Sequence, residues 1–418
     1  MTTFKPNFYK YTTSLSISLI GSEAFKFASS LYIYKITGDF WLVSILYLLI
    51  QLPSIIVYFF SQLIVNRTKK IKDKTILLFC DLISAFVLAS SVLLFFIIRN
   101  NFSFSIILIV VSSTVGFIHS FRFIYIKNIV YYIAKNNEQL KKINIATSLA
   151  TAIGFVISPI LSFFVYKYFD FYYMIIFNIL TYLTSGFLYF WIKMSSEKTV
   201  FVANKTINND QKTYKFKHNW LFILSCSLII GIILYPRTSG LPQMFKLFPQ
   251  YSVQEWGFYL SIIFSSVSLL ASLLQFWVSK LKNISISWLL ALMSLSSFIW
   301  VLSLIFVKKD IINLIVFVII ISVQQFLFSL FISLFYTVSF QLFDKENFHK
   351  QNGISLTIRI ITSSLIIIFL TYLATIATIY AFIAYSILLV LLSTTAIIFN
   401  PHKNYRKPLK VFKNKGKS

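Results

Sequence analysis

Acidic residues are scarce in this 418-residue chain: 12 aspartates and glutamates stand against 38 lysines and arginines, with four histidines. That scarcity removes much of the chemistry an enzyme would need. The loops hold no H-E-x-x-H, no paired carboxylates and no Asp-rich metal motif, and His119, His218, His349 and His402 are scattered. The two cysteines, Cys80 and Cys226, lie far apart in apolar runs, which excludes a disulfide framework or a zinc set. No Gly-rich phosphate loop is present, so an ATP-driven pump is excluded for this chain alone. Neither an enzyme nor a resident cofactor is expected.

What the chain has instead is apolar length. Hydrophobic residues make up 58% and charged ones 12%, about half the share of roughly 25% in soluble globular chains. This identifies a polytopic membrane protein. The net charge of +26 would point to nucleic acid on a soluble protein. Here the charges fall between apolar runs and in the tail, so a topological role takes precedence and no nucleic-acid partner is expected. Lys5 and Lys10 precede the first run as they would in a signal peptide. That run is too long for an h-region and no A-x-A site follows, so it reads as an uncleaved first span.

A bilayer core of about 30 Å needs about 20 apolar residues per helix. On that measure the chain predicts twelve spans, near 12–34, 41–65, 75–98, 103–126, 143–165, 171–193, 219–236, 255–279, 284–307, 311–339, 352–374 and 378–399. After Leu234, the stretch "YPRTSGLPQMFKLFP" reads as an outer loop. Of the 38 basic residues, 28 fall on the side of the termini, 7 on the opposite side and 3 within spans. By the positive-inside rule both termini face the cytoplasm of a bacterial inner membrane. The domains are then residues 1–194 and 219–400, six spans each, with a cytoplasmic linker at 195–218 and a basic tail at 401–418. The tail is expected on anionic membrane lipid. "EQLKKIN" (138–144) and "ENFHKQN" (346–352) repeat at an offset of 208, each leading into the fifth span of its half. Asn144 and Asn352 are alternatively simple helix N-caps.

Six spans plus six, with both ends inside and a long central loop, resemble the major facilitator layout. "GSEAFKFASSLYIYKITGDFWLVSILYLLIQLPSIIVYF" resembles the opening of its macrolide-efflux and enterobactin-exporter branch, through Tyr34, Thr37, Gly38, Leu52 and Pro53. "LKKINIATSLATAIGFVISPILSFF" and "FNILTYLTSGF" look like that branch's fifth and sixth helices. The resemblance implies a monomeric secondary transporter with two six-helix bundles, working by alternating access, and favours export. In the loop after helix two, Gln62 and Asn66 replace the family's glycine and aspartate, while Arg67, Lys69 and Lys70 keep the charge. The exporter motif of helix five survives as Gly154 with Ser158 and Pro159. Asn66, Arg67, Gly154 and Pro159, with Pro236 and Arg237 at the outer turn, are the expected gating positions.

Charges within a span cost roughly 2.5–3.5 kcal/mol each on insertion scales, so they face a bundle interior or a water-filled path. They are Glu23, Lys26, Asp81, His119, Arg122 and Arg359. Glu23/Lys26 and His119/Arg122 have i,i+3 spacing, so each pair shares a helix face, and the resemblance puts both at the pathway. The expected proton-coupling carboxylates are Glu23, near mid-span, and Asp81, which is also placed to pair with Arg122 as an inner lock. Lys26, His119, Arg122 and Arg359 are the expected substrate ligands. Their surplus of positive charge favours an anion, so the expected cargo is a small anionic or polar metabolite such as a siderophore, driven by protons. A macrolide or multidrug efflux pump differs in cargo alone. A non-transporting receptor or scaffold predicts that residues 23, 26 and 122 tolerate neutralisation.

Overall fold

The computed structural model describes residues 4–38, 40–98, 100–194, 209–233, 235–237, 253–277, 285–306, 311–342 and 348–400. All described elements are helical. The first half runs α1 (Phe4–Thr37), α2 (Phe40–Gln51), α3 (Ser54–Phe59), α4 (Ser61–Arg67), α5 (Asp73–Ile97), α6 (Asn101–Ile133), α7 (Asn137–Tyr168) and α8 (Phe171–Phe190). The second runs α9 (Asn209–Ile232), a 3-10 turn (Tyr235–Arg237), α10 (Val253–Trp277), α11 (Ile286–Phe306), α12 (Ile311–Leu342), α13 (Phe348–Ile376) and α14 (Thr378–Ile398). Among the described residues nine helical spans are long and apolar enough to cross a membrane. α1 is not one of them, because its serines, Asn7, Glu23 and Lys26 dilute it.

α5 shows how such helices are sorted. Its buried face carries Asp81, Ser84 and Ser91 beside Leu77 and Leu88, while Phe79, Phe86, Leu93 and Phe96 are exposed. Polar groups inside and large apolar groups outside is the arrangement lipid imposes. α1 is packed through small residues. Gly21 lies against Thr181 and Asn178 of α8, where any Cβ would collide. Ser14 donates to Ser185 O (2.8 Å) and Ser162 of α7 to Ala24 O (2.8 Å). α1 therefore sits between α7 and α8.

Several boundaries differ from expectation for local reasons. The second span is three pieces: Pro53, with no N–H to give the helix, opens the first break, and Phe60 lies at the second. α1 ends at Gly38, whose φ of 66° is the left-handed cap that favours glycine, and whose N–H reaches Tyr34 O (2.8 Å). α9 begins at Asn209, inside the expected 195–218 linker; residues 195–208 and the tail 401–418 lie outside the described residues. Asn144 and Asn352 are not N-caps. Asn144 is buried within α7 and Asn352 lies within α13, while the cap of α7 is Asn136, which accepts from Gln139 N–H (2.9 Å).

Helices α1–α8 pack among themselves, as do α9–α14. Between the halves, α7 runs along α10 and touches α12, and Ser148 Oγ meets Ser272 Oγ at 3.3 Å. α3 and α4 pack on α13. Gly353 makes that last approach close: a Cβ there would run into Tyr58 O and Ser61 Oγ.

Candidate functional site

Between the halves lies a cavity of about 290 Å³. The first half lines it with Ser22, Phe25 and Lys26 of α1, Ile50 and Gln51 of α2, and Ser54 and Tyr58 of α3. α6 adds Ser112, Gly116, His119 and Ser120, and α8 adds Tyr182. The second half supplies Ile230 and Gly231 of α9 with Arg359, Ile360 and Ser363 of α13. The first and fourth spans of the first half, whose charge pairs the resemblance puts at the pathway, both line it. In the second half the first and the fifth, α13, do so.

The break at Pro53 shapes one wall. Leu49 O, left without a helical partner, accepts from Ser113 Oγ of α6 (2.8 Å), and Gln51 O accepts from Ser54 Oγ. Ile50 O lies over Gly116, where an added Cβ would sit 2.5 Å away. The glycine lets the opened backbone press on α6.

Glu23 and Lys26 are paired at 2.6 Å, with side chains 22% and 27% exposed. Lys26 reaches the cavity wall and Glu23 stands one turn behind it. Arg359 lies across the cavity, its stem over Gly231. The ion pairs among the described residues are Glu23–Lys26, Asp81–Arg122 and Glu138–Lys142, so Arg359 has no described carboxylate partner. His119 also lines the cavity, with Nδ1 buried and unpartnered.

Arg122 does not belong to this cavity, contrary to its expected role as a substrate ligand. It is 0% exposed, with Nε 2.6 Å from Asp81 Oδ1, and its guanidinium lies 5.3 Å from the centre of the Tyr189 ring. Ser185 bridges the pair: it donates to Asp81 Oδ2 (2.8 Å) and accepts from Arg122 Nη2 (2.8 Å). Asp81 is likewise 0% exposed, which removes it from any water-filled route in this state. The pair expected as a lock is present; His119 and Arg122, though three residues apart, face different surroundings.

The end at which α1 begins is packed by contacts within the first half and across to the second. Tyr58 and Phe123 rings meet edge to face, 6.1 Å apart. Lys127, 7% exposed, lies 5.4 Å from the Phe123 ring and 4.1 Å from the Tyr336 ring of α12. The Tyr336 hydroxyl faces Arg359 as a hydrogen-bonding partner, so this packing reaches a residue of the cavity wall. Lys127 was counted among loop charges, but α6 continues to Ile133 and buries it.

Of the expected gating residues, Asn66 and Arg67 end α4 with exposed side chains. The polar contacts at that end come from residues not singled out: Thr68 with Tyr125 Oη (2.8 Å), and Asp73, which accepts from Asn128. Gly154 packs on Leu19, and Ser158 donates to Ile20 O (3.3 Å) and to Gly154 O. Pro159 lies inside α7, which runs through it unbroken. Pro236 is buried in the 3-10 turn, and the side chain of Arg237 lies outside the described residues. The missed residues had one usable signal, the mid-span Leu52-Pro53. A proline there frees carbonyls, and serines opposite it are the natural partners.

Helices that cross a membrane in two packed sets around a polar cavity are the architecture of a membrane transporter. The family model of the Major Facilitator Superfamily matches residues 11–366, and the chain belongs to that superfamily. It is a transporter and not an enzyme. A bacterial homologue of the iron transporter ferroportin, in its outward-facing state, matches with 15% identity and a TM-score of 0.74, over 94% of this chain and 99% of that one. The human organic anion transporter MFSD10 (TETRAN) matches with 11% identity and a TM-score of 0.60, over 94% and 98%. A bacterial metal transporter matches with 13% identity and a TM-score of 0.58, over 96% and 100%. No curated protein sequence matches the chain.

Proposed function

We propose that this transporter is a proton-driven exporter of a small anionic or polar metabolite, such as a siderophore, acting as a monomer in a bacterial inner membrane with both termini in the cytoplasm. On that orientation the end at which α1 begins is cytoplasmic; the packing of Tyr58, Phe123, Lys127 and Tyr336 seals it, and the state is outward-facing. Residues 1–194 and 219–400 rock about the cavity, with the close approach of α3 and α4 to α13 made and broken in each cycle. Glu23 is the coupling carboxylate and Lys26 its partner. Arg359 and His119 hold the anion.

The observation that carries this reading is Arg359 in the cavity wall without a described carboxylate, opposite a lysine whose own carboxylate is one turn away. An uncompensated charge in low dielectric is costly, and an anionic ligand supplies the missing partner. A bare metal cation is a poorer cargo. Among the described residues no three His, Cys, Asp or Glu side chains gather, and the likeness to metal transporters is one of fold.

The test is untargeted mass spectrometry of cells and medium, from iron-poor cultures with and without a functional copy. An anionic compound retained in cells and depleted outside, restored by the wild-type chain and not by Arg359→Gln, is the expected result. An unchanged profile with new sensitivity to macrolides or dyes would move the cargo to drugs. Arg359→Gln restoring export in full would remove the anion argument.

A further inference from the structure

The cavity contains five serines, and four of them satisfy their hydroxyls locally. Ser22 donates to Leu19 O, Ser54 to Gln51 O, Ser120 to Gly116 O and Ser363 to Ile360 O. Ser112 is the exception: it is 3% exposed, and its Oγ is buried with no partner. His119, on the same helix, has Nδ1 in the same condition. More than nine in ten buried polar groups are bonded in native structures, and a bare one costs about 1–3 kcal/mol. Two such atoms in one cavity wall call for a ligand that completes them.

The two residues are seven apart, hence two turns and about 10 Å along one face of α6. Gly116 stands between them and adds no side chain. The opposite wall offers Arg359, which has no described carboxylate. A hydroxyl both donates and accepts, so it can complete both functions of a serine hydroxyl and either tautomer of a histidine nitrogen; a carboxylate, which only accepts, can take the serine proton but leaves the serine lone pairs and an unprotonated histidine nitrogen bare. The volume of about 290 Å³ lies at the bottom of the range for drug-sized ligands, roughly 300–1,000 Å³. We propose that Ser112 is a specificity-determining residue that reads a hydroxyl on a small hydroxycarboxylate, whose acid group Arg359 holds, with His119, two turns along α6, meeting a second polar group of the same ligand. This deepens, and rests on, the reading of the cavity as an anion transporter's site.

The test uses the full chain in nanodiscs and two ligand pairs that differ by one hydroxyl, malate with succinate and citrate with tricarballylate. Calorimetric binding is expected to favour the hydroxylated member of each pair by about tenfold. Ser112→Ala should bring that ratio to within twofold, with His119→Asn as the second variant. Arg359→Gln should weaken both members of a pair about tenfold. Equal binding within each pair, or a preference that survives both α6 variants, overturns the hydroxyl reading. If Arg359→Gln still weakens all the acids in that case, the anion reading stands. If Arg359→Gln changes none of them, or no acid binds, both fall for these ligands, and the culture experiment above then judges transport separately.

Discussion

Of the three ion pairs described in the first half, two are made by the intramembrane charges, Asp81–Arg122 and Glu23–Lys26, and their surroundings give them opposite capacities. Asp81–Arg122 is fully enclosed, bridged by Ser185 and covered by the Tyr189 ring. Glu23–Lys26 is a single contact on one helix, with about a quarter of each side chain open and the lysine on the cavity wall. Taking both partners of the first pair out of contact would strand two charges in low dielectric, so it has one stable arrangement. Water or a ligand can replace either partner of the second. The sequence shows a pair of intramembrane charges in each case; burial separates the holder of the fold from the group able to change state.

Breaking the sealed pair should have the largest effect. Asp81→Leu or Arg122→Leu alone is expected to cost about 3–5 kcal/mol, the usual penalty for an orphaned buried charge. Chemical denaturation of the detergent-solubilised protein would measure it. The double Asp81→Leu/Arg122→Leu variant should recover most of that loss. A double variant no better than the singles would mean that the pair holds more than its own charges.

The corresponding change at the open pair should leave the fold intact. Glu23→Gln is expected to shift unfolding by under about 1 kcal/mol, as for other partly exposed pairs. The effect should fall on coupling: in liposomes, exchange of substrate across the membrane continues while uphill transport loses its dependence on an imposed pH gradient. Unchanged uphill transport and pH dependence would reduce Glu23 to a helix-positioning residue and make the two pairs alike.

Between these extremes stands the sealed end, where a single methyl group is the probe. Gly353→Ala places a Cβ against Tyr58 O and Ser61 Oγ. Backbone cannot yield as a flexible side chain does, so α13 must withdraw from α3 and α4. The expected outcome is a several-fold rise in labelling of a cysteine introduced at Leu356, measured against the same cysteine in the otherwise wild-type chain. Equal labelling would show that the seal is held elsewhere, with Lys127 and Tyr336 the next residues to change.

Much of the scaffold was legible because lipid leaves few choices: apolar runs of fixed length and proline and glycine punctuation mark out the helices. The first span, expected to end near residue 34, runs on to Thr37 and stops at Gly38, and Asp81 and Arg122 could be paired from their depth. Other features depend on partners distant in sequence. Lys127 looked like a loop cation because it lies at the edge of an apolar run, and only the length of α6 and the Tyr336 ring of the other half bury it. Arg122 was assigned to the cavity through its spacing from His119. A shared face over one turn spans a wide arc, however, and Asp81 and Ser185 occupy the side on which Arg122 lies. Ser112 carries no sequence signal at all, since its distinction is a bond it does not make.

The smallest expected effect separates the ring of Tyr336 from its hydroxyl. Lys127 sits 4.1 Å from the centre of that ring, while Arg359 faces the oxygen. A desolvated cation–π contact is worth about 2 kcal/mol, and Tyr336→Phe retains it. This variant should keep the end sealed, changing labelling at Leu356 by less than about twofold, while freeing Arg359 for a ligand. Lys127→Met keeps the bulk, removes the cation and should raise that labelling several-fold. If Tyr336→Phe unseals the end as far as Lys127→Met does, the hydroxyl link to Arg359, and not the ring, is the latch. Occupancy of the cavity and closure of this end would then be joined through one oxygen atom.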